Sequence, residues 1–218
     1  DESLGLVDYA VKMRRKDETL RMDRLASRGI ISRSSLQSLA RKIAAFHSRM
    51  PIVLDVDTSE IVDDFKDILH YRESIDKHLP HIALDDVIKN GIKYIQKNKE
   101  WLNRRLRRGL YRDIHGDLHS QNIFLYPDPV VFDCIEFNED FRRIDLLNEV
   151  AFLCMDLESR GLNEEAQYFL HEYLNVNPII SSQEDQELFL FYKAYRANVR
   201  AKVYTVFLSG VNKYADDD

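Results

Sequence analysis

The sequence predicts a mainly α-helical domain with one small β-hairpin, an α+β arrangement. Only 7 glycines and 5 prolines occur among 218 residues, too few turn formers for a β-sandwich or barrel. Apolar residues recur at helical spacing through most long segments. The exception is residues 123–133, where two short β-type runs flank Pro127-Asp128-Pro129, a turn that proline sterics favour.

The first predicted element is a β-strand at residues 7–13, because the sequence Val-Asp-Tyr-Ala-Val-Lys-Met alternates and is rich in β-formers. It begins almost at the first residue, so we expect no earlier strand of this chain to pair with it. Strand backbone groups need hydrogen-bond partners. The strand is therefore a first indication that an N-terminal partner is missing.

Six further segments predict helices. Asp145 and Ser182 each precede an apolar run, as N-cap residues do, and Asp185 follows Ser182 at the spacing of a capping box. Gly109 is placed to end the third helix, since glycine adopts the left-handed conformation at a C-cap. The predicted helices are 35–49, 59–70, 85–106, 146–157, 164–174 and 182 to about 208.

Charge and composition exclude some classes of protein. The formal net charge is −6, which gives no support for a nucleic-acid partner. An acidic start and the lack of an apolar run of about 18 residues predict neither a signal peptide nor a membrane span. Cys134 and Cys154 lie in apolar surroundings and are expected to be buried free thiols, which indicates a cytoplasmic protein. The sequence does not give the oligomeric state.

The segment with chemical meaning is residues 114–137. It contains Asp117 in a loop, Asn122 five residues later, a hairpin, and Asp133 after the second hairpin strand. Phosphoryl transfer needs a carboxylate that accepts or orients the proton of the attacking hydroxyl, and oxygen ligands that hold Mg²⁺. Antiparallel pairing would return Asp133 to the loop. Protein kinases place their base, amide ligand and second Asp in this order.

This segment resembles the aminoglycoside phosphotransferase and choline kinase superfamily, whose usual motif is His-Gly-Asp-Leu-His-x-x-Asn. The similarity extends from residue 7 to about residue 206. Four stretches are also similar to an uncharacterised bacterial branch of phosphotransferase-like proteins: YAVKMRR, FDCIEFN, RRIDLLNEVAFLCMDL and FYKAYRANVRAKV. The resemblance implies the C-terminal lobe of a protein-kinase-like fold, with ATP or GTP as phosphoryl donor, Mg²⁺ as cofactor and a small-molecule hydroxyl as acceptor.

The resemblance also assigns roles to single residues. Asp117 matches the catalytic base, and His115 matches a histidine that braces its loop. Asn122 and Asp133 match the Mg²⁺ ligands. Asp145 matches a buried Asp that helps to hold the loop backbone. Further positions with a supporting or nucleotide-facing role are Glu136, His119 and the hinge residues Val11, Lys12 and Met13.

One feature departs from the family. No Gly-x-Gly-x-x-Gly loop occurs, and Lys12 comes too late to be the lysine that contacts the α- and β-phosphates. We therefore expect residues 1–13 to be the last strand of a missing N-terminal lobe with the hinge. Residues 14–218 would be the helical catalytic lobe with its hairpin at 123–133. This chain alone would then lack the parts that hold the nucleotide.

Two other functions are compatible with the sequence. One is a metal-dependent hydrolase that uses His115-x-Asp117-x-His119, with further ligands drawn from His70, His78 or His81. The other is a non-catalytic binding or regulatory module that keeps a kinase-like site. Arg196 and Arg200 lie four apart on the last helix, where ion pairing is the default and a grip on an anionic or polyhydroxyl substrate is the alternative. The acidic stretch 55–67 is a solvated face or a lining for cationic substrates.

Overall fold

The computed structural model describes residues 15–78 and 81–215, without the side chains of residues 209–215. Helices dominate this part of the chain and the strands form two small sheets, so the predicted fold class is confirmed. The predicted strand at 7–13 lies outside the described residues. The α-helices of the described ranges are α1 (Met22–Ser27), α2 (Arg33–Arg49), α3 (Ile61–Lys66), α4 (Arg72–His78), α5 (Leu84–Arg107), α6 (Leu146–Ser159), α7 (Asn163–Val176) and α8 (Gln183–Ala215).

Helix α6 is the centre of the fold. It is apolar almost all round, a pattern typical of a buried helix, and 11 of its 14 residues are buried. It packs against α7 and α8, while α2 packs on α7. The predicted N-cap is present, since the Asp145 carboxylate accepts a hydrogen bond of 2.8 Å from the Leu147 amide. A helix buried on most of its surface can position the segments that its polar side chains contact.

Two helix ends follow the predicted signals and one does not. Gly109, with a φ of 72°, follows the end of α5, and its amide donates to the Leu106 carbonyl. The Ser182 hydroxyl accepts from the Asp185 amide at the start of α8. Helix α8 continues to Ala215 rather than ending near residue 208. Gly210 lies within it, and one glycine costs a helix only about 1 kcal/mol.

The helix predicted at 59–70 is wrong in its length and continuity. The chain forms α3, then a 3₁₀ turn at Asp67–Tyr71, then α4. Phe65, in the last turn of α3, packs on α5 at Gly91, where an added Cβ would lie 2.2 Å from the Phe65 ring. This close approach ties α3 to α5, and the tighter turn then redirects the chain toward α8.

Four short strands bracket the loop that carries Asp117. Strands β2 (Ile123–Phe124) and β3 (Val130–Val131) form the predicted hairpin, with Ile123 opposite Val131. Strands β1 (Tyr111–Asp113) and β4 (Arg143–Asp145) pair antiparallel, with Tyr111 opposite Asp145. The second pair was not predicted. This pairing holds the two ends of residues 114–142 next to each other, so the loop and the hairpin between them leave and rejoin the fold at the β1–β4 sheet.

Several single-residue expectations also differ. Cys154 is buried, whereas Cys134 is exposed, in a run of three exposed residues, 132–134, that follows β3. Arg105 belongs to the basic run at residues 104–108, yet its side chain is fully buried. It forms ion pairs with Asp145 at 2.6 Å and with Asp185 at 2.5 Å. Within the described residues, no helix combines the length and the apolar character needed to cross a bilayer.

Candidate active site

Asp117 lies in the loop between β1 and a 3₁₀ turn at Ser120–Asn122. The Asn122 side-chain nitrogen donates to the Asp117 carboxylate Oδ2 at 2.9 Å and to the Asp117 carbonyl at 3.0 Å. The fold therefore brings together the first two residues of the predicted site. The Asp117 side chain remains 34% exposed, so it can meet a ligand.

The surroundings of Asp117 favour its ionised form. Burial alone would raise the pKa of this carboxyl group. The hydrogen bond from His119, the positive charge of Arg196 and the hydrogen bond from Asn122 outweigh burial, so the pKa lies below its ordinary value of 3.8. At neutral pH the group is a carboxylate that can accept a proton or a hydrogen bond.

The hairpin returns Asp133 to the neighbourhood of Asn122. The Phe132 amide donates to the Asn122 carbonyl at 3.1 Å, which places the Asp133 backbone one residue away. Asp133 is exposed and has a φ of 63°, the one positive φ of a non-glycine residue in the described ranges. Such conformations are sparsely populated and concentrate at functional sites. That its carboxylate shares a cation with Asn122 stays a prediction.

His115 joins the loop to the hairpin. Its Nδ1 accepts a hydrogen bond of 3.2 Å from the Asp117 amide, so its Nε2 carries the proton and donates to the Phe132 carbonyl at 2.8 Å. These are the contacts expected of a bracing residue. Both ring nitrogens are used, which counts against His115 as a metal ligand of a hydrolase. The described ranges contain no group of three or more His, Cys, Asp or Glu side chains that could hold a metal ion.

The loop backbone is held by carboxylates of α6, and the prediction for Asp145 is wrong on this point. Glu149 Oε2 accepts from the Gly116 amide at 2.6 Å, and Asp156 Oδ2 accepts from the Ser120 amide at 2.9 Å. The Asp145 carboxylate instead caps α6 and pairs with Arg105. At the start of α6 the hydrogen-bonding capacity of the Asp145 carboxylate is taken up by the Leu147 amide and Arg105. Glu149 and Asp156 lie farther along the helix, where they contact the loop. Acidic residues within an otherwise apolar helix were the available signal.

Helix α8 holds the same loop from the other side. The Arg196 guanidinium donates to the Gly116 carbonyl at 3.1 Å and to Asn148 Oδ1 at 2.7 Å. Arg200 donates to Gln121 Oε1 at 2.9 Å. The ion pairs expected by default for these two arginines are thus replaced by contacts with neutral groups. A substrate role for either stays a prediction.

Gly116 is confined by its neighbours. It has a φ of 81°, and an added Cβ would lie 2.6 Å from the Phe141 carbonyl oxygen. A residue with a side chain could not take this place without moving the backbone. Of the supporting candidates, His119 is buried beside Asp117 and Glu136 is exposed after the hairpin. Val11, Lys12 and Met13 lie outside the described residues.

Two adjoining cavities open beside Asp117. One, of about 150 Å³, is lined by Asp117 and Arg196, and its neighbour, of about 270 Å³, by Tyr111 and Tyr192. Burial, with help from the charge of Asp67, raises the pKa of Asp64, which accepts a hydrogen bond from Tyr195. The two cavities share part of their lining, and we name them together the acceptor cleft for the role that we propose below. The residues that line both are Asp64, Asp140, Phe141, Ile144 and Tyr195.

Comparison with known proteins adds a family to this geometry. Residues 22–184 match the model of a family described as "Phosphotransferase enzyme family". Uncharacterised proteins of Mycobacterium bovis and of two strains of Mycobacterium tuberculosis are 30% identical over 217 residues. These matches cover 96% of this chain but 43% of each relative, so the chain spans less than half of their length. No solved structure matches.

Proposed function

Because the chain belongs to the phosphotransferase enzyme family, we propose that it is the catalytic lobe of a Mg²⁺-dependent small-molecule kinase. ATP or GTP would be the phosphoryl donor, and a hydroxyl group in the acceptor cleft would be the acceptor. The observation that carries the proposal is the Asp117 carboxylate, ionised, hydrogen-bonded to Asn122 and open to this cleft. The two free cysteines fit a cytoplasmic location.

The proposed reaction is an in-line displacement. The acceptor hydroxyl passes its proton to the Asp117 carboxylate while its oxygen bonds to the γ-phosphorus. The bond from that phosphorus to the β,γ-bridging oxygen breaks, and the nucleoside diphosphate leaves. Positioning of the hydroxyl against Asp117 is the contribution of this lobe, and the contacts of His115, Glu149 and Arg196 with the loop support it.

The donor groups fit a magnesium ion. Asn122 uses its side-chain nitrogen on Asp117, so its amide oxygen is the end available to a cation. Asp133 would add a carboxylate, and oxygen ligands of this kind are those that Mg²⁺ prefers. When bound, the ion would neutralise charge on the transferring phosphoryl group.

The acceptor cleft favours a cationic acceptor. Among the residues that line its smaller cavity, four are aspartates and two are cations, Arg196 and Lys202. Arg196 is already bound to Gly116 and Asn148. The four aspartates are Asp64, Asp67, Asp117 and Asp140. A hydroxylated amine is therefore the acceptor class that we propose.

The experiment uses the whole gene product that contains these 218 residues. It is incubated with Mg²⁺, ATP or GTP, and a panel of hydroxylated amines, sugars and hydroxy acids, and transfer is followed by mass spectrometry. We expect Asp117→Asn to lower kcat about 100-fold or more, as loss of a general base does. Asp128→Asn, an exposed aspartate of the same hairpin, is the control.

The possible results separate the candidate functions. Unchanged turnover in the Asp117 variant would refute the role of this residue. Nucleotide binding without transfer to any acceptor would favour the non-catalytic module. Stoichiometric zinc, manganese or iron after purification without chelators would favour the hydrolase.

A further inference from the structure

His119 is a polar residue that the proposed reaction leaves unused. It is only 4% exposed and lies between Asp117 and α8. Its ring packs against Phe152, with the ring centroids 5.3 Å apart. The two ring nitrogens have different neighbours: Nδ1 is 3.3 Å from the Gln121 amide nitrogen, and Nε2 is 3.2 Å from Asp117 Oδ2. A histidine so enclosed has a fixed ring orientation.

These contacts select one tautomer. A backbone amide can only donate, so Nδ1 must offer a lone pair to Gln121, and a neutral ring then carries its proton on Nε2. Asp117 Oδ2, 3.2 Å from Nε2, is a carboxylate oxygen within reach of that proton. A guanidinium nitrogen of Arg200 lies 3.4 Å from Nε2. It also carries protons, so it cannot take the place of Asp117 as acceptor.

The consequence concerns the two oxygens of Asp117. Oδ2 faces two donors, Asn122 Nδ2 at 2.9 Å and His119 Nε2 at 3.2 Å. Building on the proposed function, we infer that His119 is a positioning residue that holds Oδ2 within the protein and so leaves Oδ1 to meet the acceptor hydroxyl. His119 acts through Asp117 and does not touch the substrate.

Two substitutions separate this role from a structural one. The side-chain nitrogen of glutamine reaches about as far as Nε2, so His119→Gln keeps a donor for Asp117. The side-chain oxygen of asparagine lies about where Nδ1 does, so His119→Asn keeps only the acceptor for Gln121. We expect kcat to fall about 10- to 100-fold in His119→Asn, the value of a hydrogen bond to a charged group. KM should change less than about 3-fold, and His119→Gln should stay within about 3-fold of the wild type.

In a purely structural role, Nδ1 would only cap the turn at Ser120–Asn122. That role predicts a larger loss of kcat in His119→Gln than in His119→Asn, because asparagine keeps the acceptor for Gln121. That order, or wild-type kcat in both variants, would overturn the inference. Circular dichroism and thermal unfolding show whether each variant is folded. The inference is supported if both variants are folded, His119→Gln keeps the wild-type kcat and His119→Asn has a lowered kcat.

A second measurement does not depend on activity. Nitrogen-15 NMR of the whole gene product, labelled in histidine, should show a protonated Nε2 and an unprotonated Nδ1 at residue 119. At one fixed pH, the Asp117 carboxyl carbon signal should move in His119→Asn and not in His119→Gln. A proton on Nδ1 and none on Nε2 would contradict the inference even if phosphate transfer is found. The expected tautomer and signals without any transfer support the contact and contradict the proposed function instead.

Discussion

At the scale of single residues, a buried carboxylate holds the loop that presents Asp117. Glu149 is 1% exposed and accepts from the Gly116 amide at 2.6 Å and from His47 at 3.0 Å. His47 is fixed in turn by the Tyr173 hydroxyl. Burial would raise the pKa of Glu149, but the contact with His47 and the hydrogen bond from the Gly116 amide hold it below its ordinary value of 4.5. The loop therefore depends on this residue being ionised.

The first prediction follows from this ionisation. Glu149→Gln removes the charge and one of two acceptors, so we expect a loss of about 1–3 kcal/mol in the free energy of unfolding at pH 7. A carboxyl group with a lowered folded-state pKa stabilises the fold above its unfolded-state pKa and loses that contribution as the pH falls through the folded-state value. The difference between wild type and variant should thus be constant above about pH 4.5 and shrink below it.

Urea unfolding between pH 7 and pH 3.5 measures this difference. Glu164→Gln, at an exposed position, is the control and should follow the wild type within about 0.5 kcal/mol. A difference that stays constant to the lowest pH would mean that Glu149 is not the titrating group.

The residues of the loop were easier to predict than those that support it. Asp117, Asn122 and Asp133 follow from chemical need and spacing along a short segment. Glu149 and Asp156 lie on a helix far along the chain, and periodicity shows only that this helix is buried. Which of its carboxylates faces the loop depends on the rotation of the helix. That rotation is set by packing against α7 and α8.

At the scale of elements, Arg105 joins three parts of the fold. It lies on α5 and pairs with Asp145 before α6 and Asp185 at the start of α8, and it also donates to the Ile179 carbonyl at 3.0 Å. All three charged side chains are fully buried. Removing one partner leaves the other charges unpaired in a medium of low polarity, which costs more than the loss of a surface ion pair.

We expect Arg105→Met to lower the free energy of unfolding by about 3–5 kcal/mol. Arg107→Met is the matched control, since Arg107 is on the same helix, forms one ion pair with Glu100 and is 61% exposed. The control should lose less than about 1 kcal/mol. Chemical denaturation of both variants is the measurement. Similar losses in the two would show that the buried cluster does not hold this junction together.

Element prediction succeeded where local signals are strong. Helices α2, α5 and α6 have long apolar faces and identifiable caps, and their bounds fall near the predicted ones. Strands β1 and β4 have three residues each and pair across the whole loop and hairpin. A pairing so short and so distant leaves no pattern in the sequence. The close packing of Phe65 on Gly91, next to the break between α3 and α4, is likewise a contact between distant residues.

At the scale of the molecule, the acceptor cleft is formed by segments that are far apart along the chain. Residues 56–64, the segment after the hairpin and α8 meet there, and Asp117 lines the smaller of its two cavities. Asp57 and Asp64 of the acidic stretch 55–67 line the cleft, whereas Asp63 is 84% exposed. The stretch therefore contributes both to the cleft wall and to the solvated surface, and a role in binding cationic substrates stays a prediction.

The last prediction tests whether charge in this cleft selects the acceptor. Asp140 is exposed and lines both cavities, so its carboxylate attracts a cationic acceptor through water. A single exposed charge pair contributes about 0.2–1 kcal/mol. Asp140→Asn should therefore raise KM for a hydroxylated amine about 1.5- to 5-fold, with kcat unchanged and a smaller effect at high salt. Glu139→Gln removes the same charge one residue away, outside the cavity linings, and should leave KM unchanged. An equal rise in both variants would assign the effect to net charge, and no rise in either would rule out selection of a cationic acceptor by Asp140.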